Sequence, residues 1–286
     1  MMSKKRFIHE TYLGEIKVKF MKIPKILISC MYQNKNILKE SNLFHDVVVV
    51  NQCDCIKEHI IKYPERNVIW INSPERGLSR SRNLAIAHSE SEICIIADDD
   101  EFFIDNVQET ILNVYKKHPE ADLIVFQIEN HGKKLKNHFH KLSFAELFHV
   151  CSVQITFRKN VIKNKNISFD INMGAGTGNG GGEDSKFLFD CYKKEINMYY
   201  APVVIASLKE SKSTWFNGFS KETFYNQGAT TRHIFGVPFS ILYAFYWTYA
   251  HRKLYKQSMS FWDVLQSILK GIYGNKIGKL NNKRKV

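Results

Sequence analysis

Four short apolar runs punctuate the first hundred residues: "KILIS" (Lys25 to Ser29), "DVVVV" (Asp46 to Val50), "VIWI" (Val68 to Ile71) and "ICIIA" (Ile93 to Ala97). Each is rich in β-branched residues and too short for a helix, so each reads as a strand. Between and after them lie helical patterns, around Asn36 to Leu43, Ser79 to His88 with Ser79 as a candidate N-cap, and Asn106 to Lys117. A fifth strand is expected at Leu123 to Ile128. Strands that are apolar on both faces and alternate with helices dictate a mostly parallel sheet covered by helices. Ligands of such sheets sit beyond the carboxyl ends of the strands.

The fourth run ends in "ADDDEFF": Asp98, Asp99, Asp100 and Glu101 follow it directly. Adjacent carboxylates repel one another, and a divalent cation relieves that repulsion. Magnesium and manganese take one or two carboxylates and fill their remaining positions with phosphate oxygens and water. Asp98 and Asp100 have the spacing that puts both on one side of an extended segment. A solvated acidic turn, or a cap for the next helix, is the plain alternative.

Farther on, Gly174 to Gly182 holds six glycines in nine residues and runs into Glu183 and Asp184. "GTGNGG" matches a dinucleotide fingerprint literally. No apolar strand leads into it, however, and two acids at the helix start would repel a pyrophosphate. A mobile loop that brings Glu183 and Asp184 over a site fits better. The plain alternative is that the two acids complement the dipole of the helix Asp184 to Lys193. From His131 to Asn166 the chain is polar and basic and reads as a hairpin with connecting strands; His131, His138 and His140 fit a basic surface there better than a metal site. A last strand is expected at Met198 to Ile205.

Six scattered cysteines without a CxxC pair fit a reducing cytosol. No apolar run ending in small residues marks a signal peptide at the N-terminus. The net charge of +13 is uneven: Ser207 to Val286 carries 13 Lys/Arg against 3 Asp/Glu. Such a segment suits a polyanion, either nucleic acid or an anionic membrane face. No nucleic-acid-binding signature accompanies it. Within it, Ile234 to Ala250 is uncharged but marginal for a span, broken near its start by Gly236 and Pro238. Phe261, Val264, Leu265, Ile268 and Ile272 then recur at helical spacing, with Ser260 and Asp263 as a capping pair. Lys270, Lys276, Lys279, Lys283, Arg284 and Lys285 lie in or after that helix. The pattern is that of helices lying on an anionic membrane; a helical pair packed on the preceding domain is the alternative.

Taken together, "GLSRSRNLAIAHSESEICIIADDDEF" (Gly77 to Phe102), "GGEDSKFLFDCYKK" (Gly181 to Lys194) and the segment "YYAPVVIASLKESKSTWFNGFSKETFYNQGA" resemble family 2 glycosyltransferases of the GT-A fold, in their bacterial capsule and surface-polysaccharide branch. The resemblance spans roughly Lys25 to Ala229. It implies a GT-A domain over 1–218 followed by a helical, aromatic and basic region over 219–286. It also implies an inverting transfer from a nucleotide-sugar, expected to be a UDP-sugar, with Mn2+ or Mg2+ as cofactor. The acceptor would be a glycan or lipid-linked glycan, and the enzyme would sit on the inner face of a bacterial plasma membrane, with no nucleic acid partner.

By position, Asp98 and Asp100 match the metal-binding pair, with Asp100 the direct ligand; Asp98 and Asp99 border the donor. Asp184 matches the catalytic base, and Glu183 holds the acceptor. Ser29, Cys30 and Tyr32 border the base, while Arg80, Arg82 and Asn83 pack on the nucleotide. One departure stands out. Where the family's second strand ends in acids that read uracil, this chain has Asn51 and Gln52, with Asp54 slightly later. An amide offers both donor and acceptor to a pyrimidine edge. Two other classes remain open at this point: a nucleotidyltransferase on a related sheet, and a non-enzymatic basic protein that binds nucleic acid or anionic surfaces.

Overall fold

The computed structural model describes residues 23–43, 46–63, 66–129, 135–177, 181–209 and 218–274. The elements in chain order are β1 (Lys25–Met31), α1 (Asn36–Glu40), β2 (Val47–Gln52), β3 (Lys57–Tyr63), β4 (Arg66–Ser73) and α2 (Leu78–His88). Next come β5 (Ile93–Ala97), β6 (Glu101–Phe103), α3 (Val107–Lys117), β7 (Leu123–Glu129), β8 (His140–Lys141), β9 (Ile155–Arg158) and α4 (Lys159–Asn164). The chain continues with α5 (Glu183–Lys193), β10 (Met198–Leu208), α6 (Lys221–Phe235), α7 (Val237–Ala250), α8 (Arg252–Tyr255) and α9 (Phe261–Gly274).

All ten strands join one sheet in the order β3-β4-β2-β1-β5-β9-β7-β10-β6, with β8 on β10. The expected parallel core is β4-β2-β1-β5. Beyond it the sheet is mixed: β9 runs antiparallel between β5 and β7, and β7 pairs β10 in parallel. The core strands are largely buried, because helices cover both faces: β2 and β5 contain no exposed residue. The chain builds outward from β1 to β2 and β4, then returns to place β5 on the other side of β1. That reversal opens a crevice beyond the carboxyl ends of β1 and β5.

Several local expectations need correction. Ser79 does not cap α2; Gly77 does, with φ 124°, and Ser79 is buried with its Oγ donating to the Met173 carbonyl at 2.8 Å. The region read as a hairpin with connecting strands holds a strand, β9, as expected, but the two-residue β8 and two short 3-10 turns precede it and α4 follows. β3 and β6 were not expected. The glycine-rich segment is not free along its length, since the Leu78 amide donates to the Ala175 carbonyl at 3.0 Å and Thr177 is tied back to Gly174.

The C-terminal helices form their own apolar cluster. Gly236, with φ 78°, ends α6 and starts α7, so the uncharged run is split in two, with Pro238 in the first turn of α7. Ser260 caps α9 as expected, its Oγ accepting from the Asp263 amide at 3.1 Å and donating to that carboxylate at 2.7 Å. The apolar stripe of α9, read as a membrane face, is core: Val264, Leu265, Ile268 and Ile272 are buried. α6 and α9 approach so closely that a Cβ on Gly228 would stand 2.0 Å from the Ile268 carbonyl oxygen. The basic residues Lys276, Lys279, Lys283, Arg284 and Lys285, and His131, lie outside the described residues. No helix among the described residues is long and apolar enough to cross a membrane.

Candidate active site

The acidic cluster follows directly from β5, whose five residues are fully buried. The strand must end where its backbone meets solvent, and there Asp98, Asp99 and Asp100 turn the chain into β6, which pairs with the end of β10. Lys209 clamps this turn. Its amide donates to the Asp100 carbonyl at 2.8 Å and its Nζ to the Asp99 carbonyl at 3.1 Å.

The three aspartates have different partners. Asp98 accepts both of its side-chain bonds from Arg82 Nη2, at 3.0 and 3.1 Å. Asp99 Oδ2 accepts from Gln33 Nε2 at 3.0 Å. Asp100 receives no side-chain donor among the described residues; burial and the charges of Asp98 and Asp99 push its carboxyl above the ordinary range, with only partial relief from Lys209. Behind them Glu101 is fully buried. Its Oε1 accepts from the Asp98 amide at 3.1 Å, its Oε2 has no partner among the described residues, and burial followed by the Asp98 charge holds its carboxyl well above the usual value.

Arg82 ties this turn to α5. It is 1% exposed, although it carries a full charge. Nη2 also donates to Ser152 Oγ at 2.8 Å, and Nη1 donates to Glu183 Oε1 at 3.1 Å. A buried guanidinium is tolerable only with such compensation. Its ionic partners, Asp98 and Glu183, come from two segments far apart in sequence. The motifs that stood out separately in the sequence thus meet at one side chain.

The start of α5 is shaped by glycine. Gly182 caps the helix with φ 102°, and a Cβ there would come 2.7 Å from Thr230 of α6. Gly174, with φ 94°, lies against Glu183, where a Cβ would meet its Cδ at 3.2 Å. Glu183 is buried, with Oε2 unpartnered among the described residues. Burial and the adjacent Asp184 charge raise its pKa, against the pull of Arg82. Burial also raises that of Asp184, opposed first by Arg82 and then by backbone amides, including that of Ser185, which donates to Oδ1 at 2.8 Å. A carboxylate lifted in this way is a stronger proton acceptor near neutral pH.

On the other side of the crevice, Ser29 near the end of β1 is buried, with an Oγ that has no partner among the described residues. Cys30 beside it is an inert thiol, pushed up by burial and the Asp99 charge. Tyr32 is exposed and held at φ 51°, a conformation side chains rarely adopt. Its hydroxyl donates to Asp54 at 3.0 Å and accepts from Arg76 Nη2 at 2.9 Å, while Arg76 bridges to Asp54 Oδ1 at 2.5 Å.

Three residues expected at the nucleotide also fasten the fold. Asn51 spends both amide hydrogens, on the Gln33 carbonyl at 3.1 Å and Asn72 Oδ1 at 3.0 Å, and its oxygen accepts from the Gln33 amide at 2.9 Å. Gln52 Oε1 accepts from the Gly77 amide at 2.8 Å. Asn83 clamps the Phe169 backbone, its Nδ2 donating to the carbonyl at 2.8 Å and its Oδ1 accepting from the amide at 2.9 Å. Arg80 is partly exposed on the first turn of α2. The sequence reading missed the clamp residues Gln33, Arg76, Ser152 and Lys209. Only the buried guanidinium's need for partners, invisible without the fold, points to Ser152.

The family model for glycosyl transferase family 2 matches residues 29–179, more than half of the chain. Among solved structures, residues 1–349 of S. aureus TarS align with a TM-score of 0.56 at 12% identity, over 88% of this chain and 81% of that one. The same fragment in complex with UDP-GlcNAc gives a TM-score of 0.54 at 12% identity, over 88% and 82%. Full S. aureus TarS gives 0.53 at 11%, over 89% of this chain and 50% of that one. At such identities the likeness is one of fold. No curated protein sequence matches the chain.

Proposed function

The chain belongs to glycosyl transferase family 2, and from that premise we propose that it transfers a sugar from a UDP-sugar to a hydroxyl of a surface glycan or lipid-linked glycan, with inversion. As a glycosyltransferase it needs a donor site, an acid-stabilised leaving group and a base. The observation that carries the reading is the Arg82 bridge, which brings the aspartate turn after β5 and the first turn of α5 to one crevice. The UDP and UDP-GlcNAc complexes of the S. aureus protein support the donor class. Ser29, Tyr32, Asp54 and Arg76 border the base and ribose, and Asp99 faces the donor.

The donor set suits a hard cation. No three His, Cys, Asp or Glu among the described residues converge on a metal. The aspartate turn nonetheless leaves Asp100 crowded by like charge and without a side-chain hydrogen bond among the described residues. Asp100, with Asp98 beside it, would hold Mn2+ or Mg2+ jointly with the donor's phosphates. The ion supplies charge neutralisation on the departing diphosphate. Asp184 accepts the proton of the attacking hydroxyl, Glu183 orients the acceptor, and Arg82 keeps Glu183 in place. No covalent enzyme intermediate is needed. UDP release from a panel of UDP-sugars with manganese tests the proposal; no release with any of them sinks it.

The acceptor reading has support in the C-terminal helices. Leu242, Phe245, Tyr246 and Tyr249 leave one side of α7 bare, with Leu242 and Tyr249 70% and 78% exposed. Exposed Arg252, Lys253 and Lys256 follow at once. An aromatic face beside cations suits the headgroup layer of an anionic membrane. On this reading 219–286 is a membrane-docking region appended to the catalytic domain over 1–218, and the enzyme works on the cytoplasmic face of the membrane.

A further inference from the structure

A second concave surface lies at the opposite end of α5 from the catalytic carboxylates. It is a half-open groove of about 850 Å³. Its walls are Phe144, Phe189 and Tyr192, and its rim carries Lys141 and Lys193. Phe144 is the hub of the rings, lying 5.8 Å from Phe189 and 5.3 Å from Tyr192, with Phe239 at 6.3 Å continuing the surface onto α7. Tyr192 is 46% exposed.

Lys193 lies in the last turn of α5 and Lys141 on β8. Lys194 does cap locally, its Nζ donating to the carbonyls of Lys165 and Asn166. Lys193 instead stands over the Phe189 ring at 4.5 Å. Lys141 leans on Asn197 at 3.5 Å, on the facing wall. One acid, Glu195, also lines the groove. A wall of rings with Tyr192 exposed, one cation over Phe189 and a second cation lining the same groove match a sugar chain that carries negative charge. The axial C–H face of a pyranose packs on an aromatic ring, and a carboxylate or phosphate reaches the ammonium groups.

Building on the glycosyltransferase reading, we propose that this groove binds an anionic oligosaccharide segment of the acceptor, remote from the residue that reacts. α5 has 11 residues and so spans about 16 Å. That is the reach of a short oligosaccharide laid from the groove to Asp184. The groove would therefore select for acceptors that are already chains, and would raise the local concentration of their reactive ends.

Calorimetric titration of the full chain with oligogalacturonate, an anionic pyranose oligomer, and with neutral maltooligosaccharide tests this. The charged oligomer should bind. Combining Tyr192→Ala with Lys193→Glu should weaken it about tenfold, as losing one stacked ring and one cation implies. Tyr192→Phe, which keeps the ring, should retain binding. Release of UDP from the donor by water should be unchanged in all three proteins. Failure of the charged oligomer to bind, equal binding of the neutral one, or undiminished binding by the double variant would overturn the groove assignment. Absent UDP release with groove binding intact would count against the transferase reading alone.

Discussion

At the scale of single residues, the site is a problem in keeping charges apart and charged. Asp100 is the aspartate that receives no side-chain hydrogen bond among the described residues, so Asp100→Ala should remove manganese-dependent donor binding and turnover while leaving the thermal transition in place. Isothermal titration with donor, with and without the ion, checks this. Asp184→Asn keeps shape but cannot accept a proton. Transfer should fall by about 10²–10⁴ with donor affinity retained, which single-turnover assays resolve. Burial raises the Asp184 pKa from 3.8, so the acid limb of the rate profile should lie above the range of an ordinary aspartate. Arg82 pulls that value down. Arg82→Gln should therefore shift the limb to higher pH, a change that loss of packing alone would not produce. The pairing of Asp98 with Arg82 was not legible in sequence, since nothing in "SRSRNLAIAH" tells which arginine is buried. That Asp98 to Asp100 and Glu183 to Asp184 belong to one centre was legible only through the resemblance; periodicity placed each motif but not their distance.

At the scale of elements, apolar runs revealed strands whose residues are buried on both faces, and concealed those whose partners decide them. β1, β2, β4 and β5 announce themselves by β-branched composition. β3 and β6 do not, because an edge strand and a three-residue strand are set by pairing with β4 and β10. The stripe on α9 misled for a related reason: helical spacing shows that a face is buried but not against what. Here it is buried against α6, where the two backbones nearly touch. A Cβ on Gly271 would stand 1.9 Å from the Tyr225 carbonyl oxygen. Gly271→Ala should cost about 1–3 kcal/mol of stability or more, as overpacking does, and lower the melting temperature. A second tie joins α6 to the segment before the glycine-rich loop, where His233 Nε2 meets Asp170 Oδ2 at 2.6 Å. That bond, ahead of the amide of Asn172, lowers the Asp170 pKa from 3.8 to about 2. The sign follows from the depressed value. The contribution is present above pH 3.8 and is lost as pH falls towards about 2, where the carboxylate protonates in the fold as well. Acid titration of the melting temperature should show this slope, and Asp170→Asn should flatten it.

For the whole molecule, charge and exposed surface are concentrated at one end of the sequence. The segment from Ser207 onward holds a net +10 of the chain's +13, and the bare side of α7 lies within it. Each basic residue near an anionic surface contributes about 1 kcal/mol, so several together should give salt-sensitive binding. The intact protein should sediment with phosphatidylserine vesicles at low salt and less at high salt. Leu242→Glu combined with Tyr249→Glu should stay in solution, while UDP release by water is unchanged. Equal sedimentation of the two would reject the membrane reading. Composition foretold this asymmetry; which helix presents its rings to the outside was settled by packing that composition does not encode. The Arg82 bridge has a further consequence, in time rather than in space. Glu183 follows Arg82 by 101 residues. At about 5–20 residues per second, a ribosome makes the guanidinium several seconds before its second carboxylate exists. Through that interval the nascent β1-to-β5 half holds a buried-to-be cation with Asp98 as its only ionic partner. Stalling translation just before α5 should thus leave a chain open to proteolysis around α2, and release past Lys193 should close it.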